Sequence, residues 1–214
     1  ALKELGLAEQ ALQGLSEAGV SLHWYAGVEP DPTFTHVTEG AQILRAAGCT
    51  AIIAVGGGSS MDAAKIIART RSSDASPDQW VGLNKVPDDI LPVYAIPTTS
   101  GTGSEATMGA VIKDPVERVK TIIAADGLLP QAVALDPELL LGMPPAVTAA
   151  TGIDALTHGI EAYICIWDRG TRKENARLAV QGVFQWLPKA MAEPDNREAR
   201  LWMALAAYHA GVAI

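Results

Sequence analysis

Gly56-Gly57-Gly58 is followed by Ser59-Ser60 and then by Met61, Ala64 and Ile67 at helical spacing. A run of glycines lets the main chain pass close to an anion. The start of the helix behind it offers unpaired N–H groups and a partial positive charge to a phosphate. The alternative is a turn whose glycines serve only close packing of a strand on a helix, and on the triplet alone the two stand level. No Gly-Lys-Ser/Thr follows, so this is not the phosphate loop that serves phosphoryl transfer. Further along, Thr98, Thr99, Ser100, Thr102 and Ser104 crowd into the segment from Pro97 to Ser104. That is more hydroxyls than a solvated turn requires, although Ser/Thr bonding to the local backbone accounts for some of them. Gly101-Thr102-Gly103-Ser104-Glu105-Ala106 matches the G-x-G-x-x-A dinucleotide pattern, but a strand-like run follows where that pattern calls for a helix. Asp154 and His158 stand four apart on an expected helix and so project from one face, a spacing suited to two ligands of a divalent metal. An ordinary helix hydrogen bond or ion pair is the commoner outcome of that spacing. Glu161 is either an acceptor that orients the imidazole or a solvated carboxylate. His23, His36 and His209 show no partner pattern and receive no role. No G-x-S-x-G elbow, H-E-x-x-H helix or Cys–His constellation is present, which lowers serine, zinc-protease and cysteine-nucleophile chemistry.

Strands and helices must hold these residues in place. Leu2, Leu5, Leu12 and Leu15 with Gly19 predict an opening helix. Ser21 to Tyr25 is expected as a strand, and a helix carrying Val37, Ala41 and Leu44 is expected to end near Gly48. Cys49 to Val55 is a continuous apolar run, the signature of a strand buried on both faces in a parallel sheet covered by helices. It ends in the glycine triplet, which completes a strand, turn and helix unit. Val93 to Ile96 predicts a second strand with the hydroxyl-rich loop at its carboxyl end. Thr107–Ile112 and Val119–Ile123 predict a hairpin added to the same sheet. From Pro144 onward Ala-rich helical patterns take over, through 146–164, 171–192 and 197–213. The reading is therefore an α/β region over 1–143 followed by an all-helical region over 144–214.

Apolar residues are 49% and charged residues 19%, which excludes a disordered chain. With 24 Asp+Glu against 16 Lys+Arg, a net charge of −8 opposes nucleic acid and anionic membrane surfaces as partners. Cys49 and Cys165 have no C-x-x-C spacing and read as small core residues of a protein in a reducing compartment. No apolar stretch approaches the roughly 18 residues of a membrane span, so a soluble, cytoplasmic protein is expected. A start without methionine or a secretory leader fits a chain that opens and closes inside a larger protein.

Gly56 through Lys65, Pro97 through Glu105 and Thr151 through Tyr163, with Leu135-Asp136-Pro137 and Gly142-Met143-Pro144-Pro145 between them, resemble the iron-containing alcohol dehydrogenase family over nearly the whole chain. The resemblance implies a Rossmann-like α/β domain that binds NAD or NADP and an all-helical domain that holds a divalent metal, Fe2+ or alternatively Zn2+. Substrate would lie in the cleft between them, both domains being incomplete here. By resemblance, Gly57, Gly58 and Ser59 receive the pyrophosphate and Asp62 steadies that turn. Thr98, Thr99, Thr102, Thr107 and Lys120 line the rest of the dinucleotide site, and Asp154 and His158 are metal ligands. Two further histidine ligands of such proteins lie beyond the last residue of this chain, and His209 is out of register with them. The first strand of the nucleotide unit and the residue that helps choose NAD or NADP also have no counterpart here. The implied reaction is hydride transfer between a small alcohol, aldehyde or ketone and nicotinamide in a homo-oligomer, with no catalytic residue assigned. The alternatives are a non-catalytic NAD(P)-binding module, and the same fold acting on a polyol or hydroxy acid.

Overall fold

The computed structural model describes residues 6–73, 75–86, 91–166 and 170–214. Leu2 and Leu5 lie outside the described residues. Helix α1 runs Leu7–Glu17 and buries Ala8 and Leu12. Helix α2, Phe34–Ala47, turns Phe34, Val37, Ala41 and Leu44 inward and ends at Gly48 in the left-handed conformation. His36 has a local task that its sequence context did not reveal: its Nδ1 accepts the Thr33 N–H at 3.1 Å and caps this helix.

Strands β1 (Ile52–Gly56), β2 (Gly82–Leu83), β3 (Val93–Pro97), β4 (Gly109–Lys113), β5 (Lys120–Ala124) and β6 (Ala132–Val133) form two three-stranded sheets. The order β1-β3-β6 is parallel throughout. The order β2-β5-β4 joins an antiparallel β4–β5 hairpin to β2, which runs parallel to β5.

Four expectations are corrected. The hairpin forms at about the expected place but belongs to the second sheet. The reason lies in helix α3, Gly58–Arg69, in which Met61 and every residue from Ala63 to Arg69 are buried. A helix buried on all sides needs cover on all sides, and α3 packs on β1 and β3 on one side and on β4 on another. The segment Ser21–Tyr25 forms no strand and has no ladder partner among the described residues; a groove of about 600 Å3 lies between it and β1. For the same reason β1 is an edge strand with Ile52, Ile53 and Val55 only half-buried, not a strand buried on both faces. Cys49 and Cys165 are likewise only partly buried, and both are free thiols.

Helices α4 (Pro145–Ile164), α5 (Thr171–Ala192) and α6 (Arg197–Ala213) match the expected spans within a residue. Pro145 starts α4 where its missing N–H costs nothing, and the Asn196 side chain caps α6 by accepting the Ala199 N–H at 2.9 Å. Ala155, Ala179, Ala190, Ala199, Ala206, Ala207 and Ala210 form much of their shared core, and such small residues let helix backbones approach closely. Buried Arg200 donates to Thr148 Oγ1 at 2.8 Å and to the Pro194 carbonyl at 2.9 Å, fastening α6 to the first turns of α4. The α/β elements and the three helices thus have separate cores.

The hydroxyl-rich loop after β3 is the wedge between them. A Cβ on Gly101 would sit 2.7 Å from Thr151 Cβ of α4, and one on Gly211 of α6 would collide with the Gly103 carbonyl. Gly103 also needs its positive φ of 60°. Gly211→Ala is therefore expected to cost about 1–3 kcal/mol by overpacking. Gly14→Ala, in open space within α1, is expected to stabilise by about 0.5–1 kcal/mol. Urea unfolding of both variants checks the pair.

Candidate active site

Parallel strands end side by side here: Gly56 of β1 is in register with Pro97 of β3, and the Thr98 N–H donates to the Gly56 carbonyl at 2.9 Å. Beyond these carboxyl ends opens a cleft of about 1380 Å3 that reaches from α3 to the helical region. A crevice at this end of a parallel sheet is where ligands of such folds lie. Of the residues expected to hold a dinucleotide, Gly58, Ser59, Asp62, Thr102, Thr107 and Lys120 line it. Gly57 is the N-cap of α3, with no side-chain cap, so the first amide protons of that helix are left for a ligand. Thr99 lies against Gly57, and Thr98 is buried behind the turn; neither lines the cleft. A Cβ on Gly58 would come within 2.7 Å of the Thr102 side chain, so turn and loop are in contact.

The hydrogen bonds of Asp62 run to partners outside the turn it was expected to steady. Its carboxylate accepts the Ser104 hydroxyl at 2.5 Å and the Val111 N–H at 2.9 Å, so it ties α3 to the loop and to β4. Burial pushes its pKa up, against the pull of Lys65 and these donors. Sequence reasoning passed over Lys65, 1% exposed beneath the cleft, and Glu105, 2% exposed in its wall. The signal was present in the pair Asp62 and Lys65, three apart on a helix whose neighbours are all core residues. Burial raises the pKa of Glu105 as well.

Lys120, 62% exposed on β5, pairs with Asp31 at 2.7 Å across the cleft mouth and lowers the pKa of that carboxylate. Asp154 and His158 lie on the α4 face that lines the same cleft, with Oδ1 3.8 Å from Nε2. Two ligand atoms each about 2.1 Å from a tetrahedral ion are about 3.4 Å apart, so small rotations would bring both onto one ion. A carboxylate oxygen with an imidazole nitrogen suits iron or zinc. His158 Nδ1 is buried without a hydrogen-bond partner among the described residues, which leaves Nε2 as the nitrogen presented to the cleft. Glu161 is exposed and does not orient the imidazole. His209 is engaged with Asn175, Nδ1 to Oδ1 at 2.8 Å. Among the described residues no third His, Cys, Asp or Glu joins Asp154 and His158. The pair fits one side of a metal site.

Residues 1–137 match the family described as iron-containing alcohol dehydrogenase, and residues 148–214 match the Fe-containing alcohol dehydrogenase family, C-terminal. The chain is 39% identical over 215 residues to NAD-dependent methanol dehydrogenase of Bacillus methanolicus, covering 99% of this chain and 56% of that protein. It is 37% identical over 208 residues to 1,3-propanediol dehydrogenase of Klebsiella pneumoniae, covering 97% and 54%. Its fold matches sulfoacetaldehyde reductase from Bifidobacterium kashiwanohense, solved in complex with NAD+, with a TM-score of 0.93 at 37% identity, covering 100% of this chain and 56% of that one. This chain belongs to the iron-containing alcohol dehydrogenase family. It spans about half the length of the curated relatives it matches.

Because Ser104 supplies one of the two hydrogen-bond donors to a partly buried carboxylate, Ser104→Ala is expected to cost about 1–3 kcal/mol. The measurement is the urea midpoint, which should fall with the slope unchanged.

Proposed function

We propose that the whole protein is a metal-dependent, NAD(P)-linked alcohol dehydrogenase that passes a hydride between a small alcohol and nicotinamide, reversibly with the aldehyde or ketone. One observation carries the reading: a single cleft is lined both by the start of α3 at Gly58 and Ser59 and by Asp154 and His158 of α4. The division into an α/β domain over 1–143 and a helical domain over 144–214 belongs to the proposal and is supported by the two cores.

In this reading the amide protons of the first turn of α3, with the Ser59 hydroxyl, receive a diphosphate without spending a lysine or arginine. Thr102 and Thr107 give hydroxyl donors along the dinucleotide, and Lys120 exchanges Asp31 for it at the cleft mouth. Thr98 and Thr99 support the turn from behind. Asp154 through Oδ1 and His158 through Nε2 hold one side of the divalent ion. When bound, the metal supplies Lewis acidity at the alcohol or carbonyl oxygen, and the nicotinamide accepts or returns the hydride. Iron in preference to zinc, use of NADP as well as NAD, a cytoplasmic setting and a homo-oligomer are further parts of the proposal, supported by the family resemblance. Among the described residues no helix is long and apolar enough to cross a membrane.

A second reading is an NAD(P)-binding module without turnover, in which Asp154 and His158 form only the ordinary i, i+4 pair that their spacing allows. A third keeps the fold and changes the substrate to a polyol or hydroxy acid; a relative named for 1,3-propanediol keeps the polyol in view.

In the full protein, Asp154→Ala or His158→Ala is expected to abolish retention of one divalent ion per subunit and turnover of simple alcohols, while NADH affinity changes less than about threefold. Metal analysis, alcohol oxidation and NADH titration check this. Unchanged activity in either variant refutes the metal assignment, and a full protein that binds NADH but neither holds a metal nor oxidises alcohols supports the binding module.

A further inference from the structure

Lys65 is the least expected charge in the molecule, because it lies 1% exposed between α3 and the strand that leaves the hydroxyl-rich loop. Its ammonium donates to the Thr107 carbonyl at 2.9 Å, to Thr107 Oγ1 at 3.1 Å and to the Gly109 carbonyl at 2.7 Å. These acceptors use all the protons an ammonium has. Asp62 Oδ1 is 3.9 Å away and is itself occupied by Ser104. No part of Lys65 lines the cleft, whereas Thr107 does. The lysine therefore acts on a ligand only through the threonine.

The consequence lies in the one proton of the Thr107 hydroxyl. With Oγ1 accepting from Lys65, that proton is directed elsewhere, and its internal acceptors, the Ser104 and Gly109 carbonyls, are both distant at 3.4 Å. It is available to an oxygen in the cleft. We propose that Lys65 is a positioning residue for the dinucleotide site, whose buried ammonium pins Thr107 to α3 and aims the Thr107 hydroxyl proton at the bound dinucleotide. This rests on the dinucleotide reading of the cleft given above and adds to it the residue that sets the donor's direction.

A neutral amine in the same place would behave differently. It keeps two N–H groups and gains a lone pair that can itself accept the Thr107 hydroxyl proton, which would turn the donor inward. The charged groups acting on Lys65 are Asp62 from its own helix and Glu105 from the turn Ser104–Ala106; both favour the ammonium. β4 brings the Gly109 carbonyl to it. Burial outweighs these contributions and brings the lysine down to about 8. The ammonium, and with it the outward donor, is present below that pH and lost as pH rises through it.

The test is a titration of the full protein with NADH, and with NADPH in parallel, across about pH 7 to pH 9. If only the ammonium form binds well, Kd rises about tenfold over that interval. Thr107→Val, which removes the hydroxyl at a half-buried position, is expected to bind more weakly at pH 7 and to lose the pH dependence. Lys65→Arg, which stays charged throughout, is expected to bind with no slope across the interval. A loss of packing alone would weaken these variants without removing the slope. Wild-type binding that is level from pH 7 to pH 9, or a Thr107→Val variant that keeps the tenfold rise, overturns the assignment while leaving the proposed function standing. A wild-type protein that binds neither nucleotide at any of these pH values overturns the dinucleotide reading itself, and this inference with it.

Discussion

The distance between the start of α3 and the Asp154–His158 pair is set by one wedge of main chain. The loop after β3 touches the glycine turn through Thr102 against Gly58, the α4 backbone through Gly101 against Thr151, and α6 through Gly103 against Gly211. Thr151 is less than one helical turn before Asp154 on the same helix. A side chain at any of these glycines would push the two halves of the cleft apart. Rigid-body separation would move Asp154 and His158 away from the first amides of α3, and the proposed hydride transfer needs its groups held within a few ångströms. Packing of backbone on backbone is therefore the mechanical condition for one cleft carrying both features.

Electrostatics reinforce this arrangement. The cleft belongs to a chain of net charge −8, yet the surface that the proposal assigns to a diphosphate is a helix N-terminus and hydroxyl groups. Asp62, partly buried, and Glu105, buried, line the same cleft, and burial pushes the pKa of both up. Lys65 sits between them and compensates what charge remains. Burying three ionisable groups is costly unless each is paired or neutralised. The cluster is tolerated because its hydrogen bonds join α3, the loop and β4, the elements whose relative position matters to the cleft.

Much of this was legible from residue order. The glycine triplet ending an apolar run gives β1 and the start of α3, and the alanine-rich helical patterns from Pro144 onward give the three helices within a residue. Spacing placed Asp154 and His158 on one face, since a helix fixes neighbours four apart. Other features were not legible because they depend on partners far away in sequence. Ser21–Tyr25 has the composition of a strand, but a strand exists only where a neighbour accepts its hydrogen bonds. The hairpin's sheet was set by the need of α3 for cover on a further side. The part played by Asp62 was read as local to its turn, whereas its donors come from residues 42 and 49 positions later. Lys65 received no role for the same reason: its acceptors come from Thr107 and Gly109, far along the chain.

The most direct test of the central claim is a crystal structure of the full protein grown with NADH and Co2+, using anomalous scattering to locate the metal. The account predicts the diphosphate within hydrogen-bonding distance of the Gly58 and Ser59 amides, and a cobalt peak bonded to both Asp154 Oδ1 and His158 Nε2 in the same cleft. Nucleotide seated away from the start of α3, or cobalt bound without those two side chains, would contradict it.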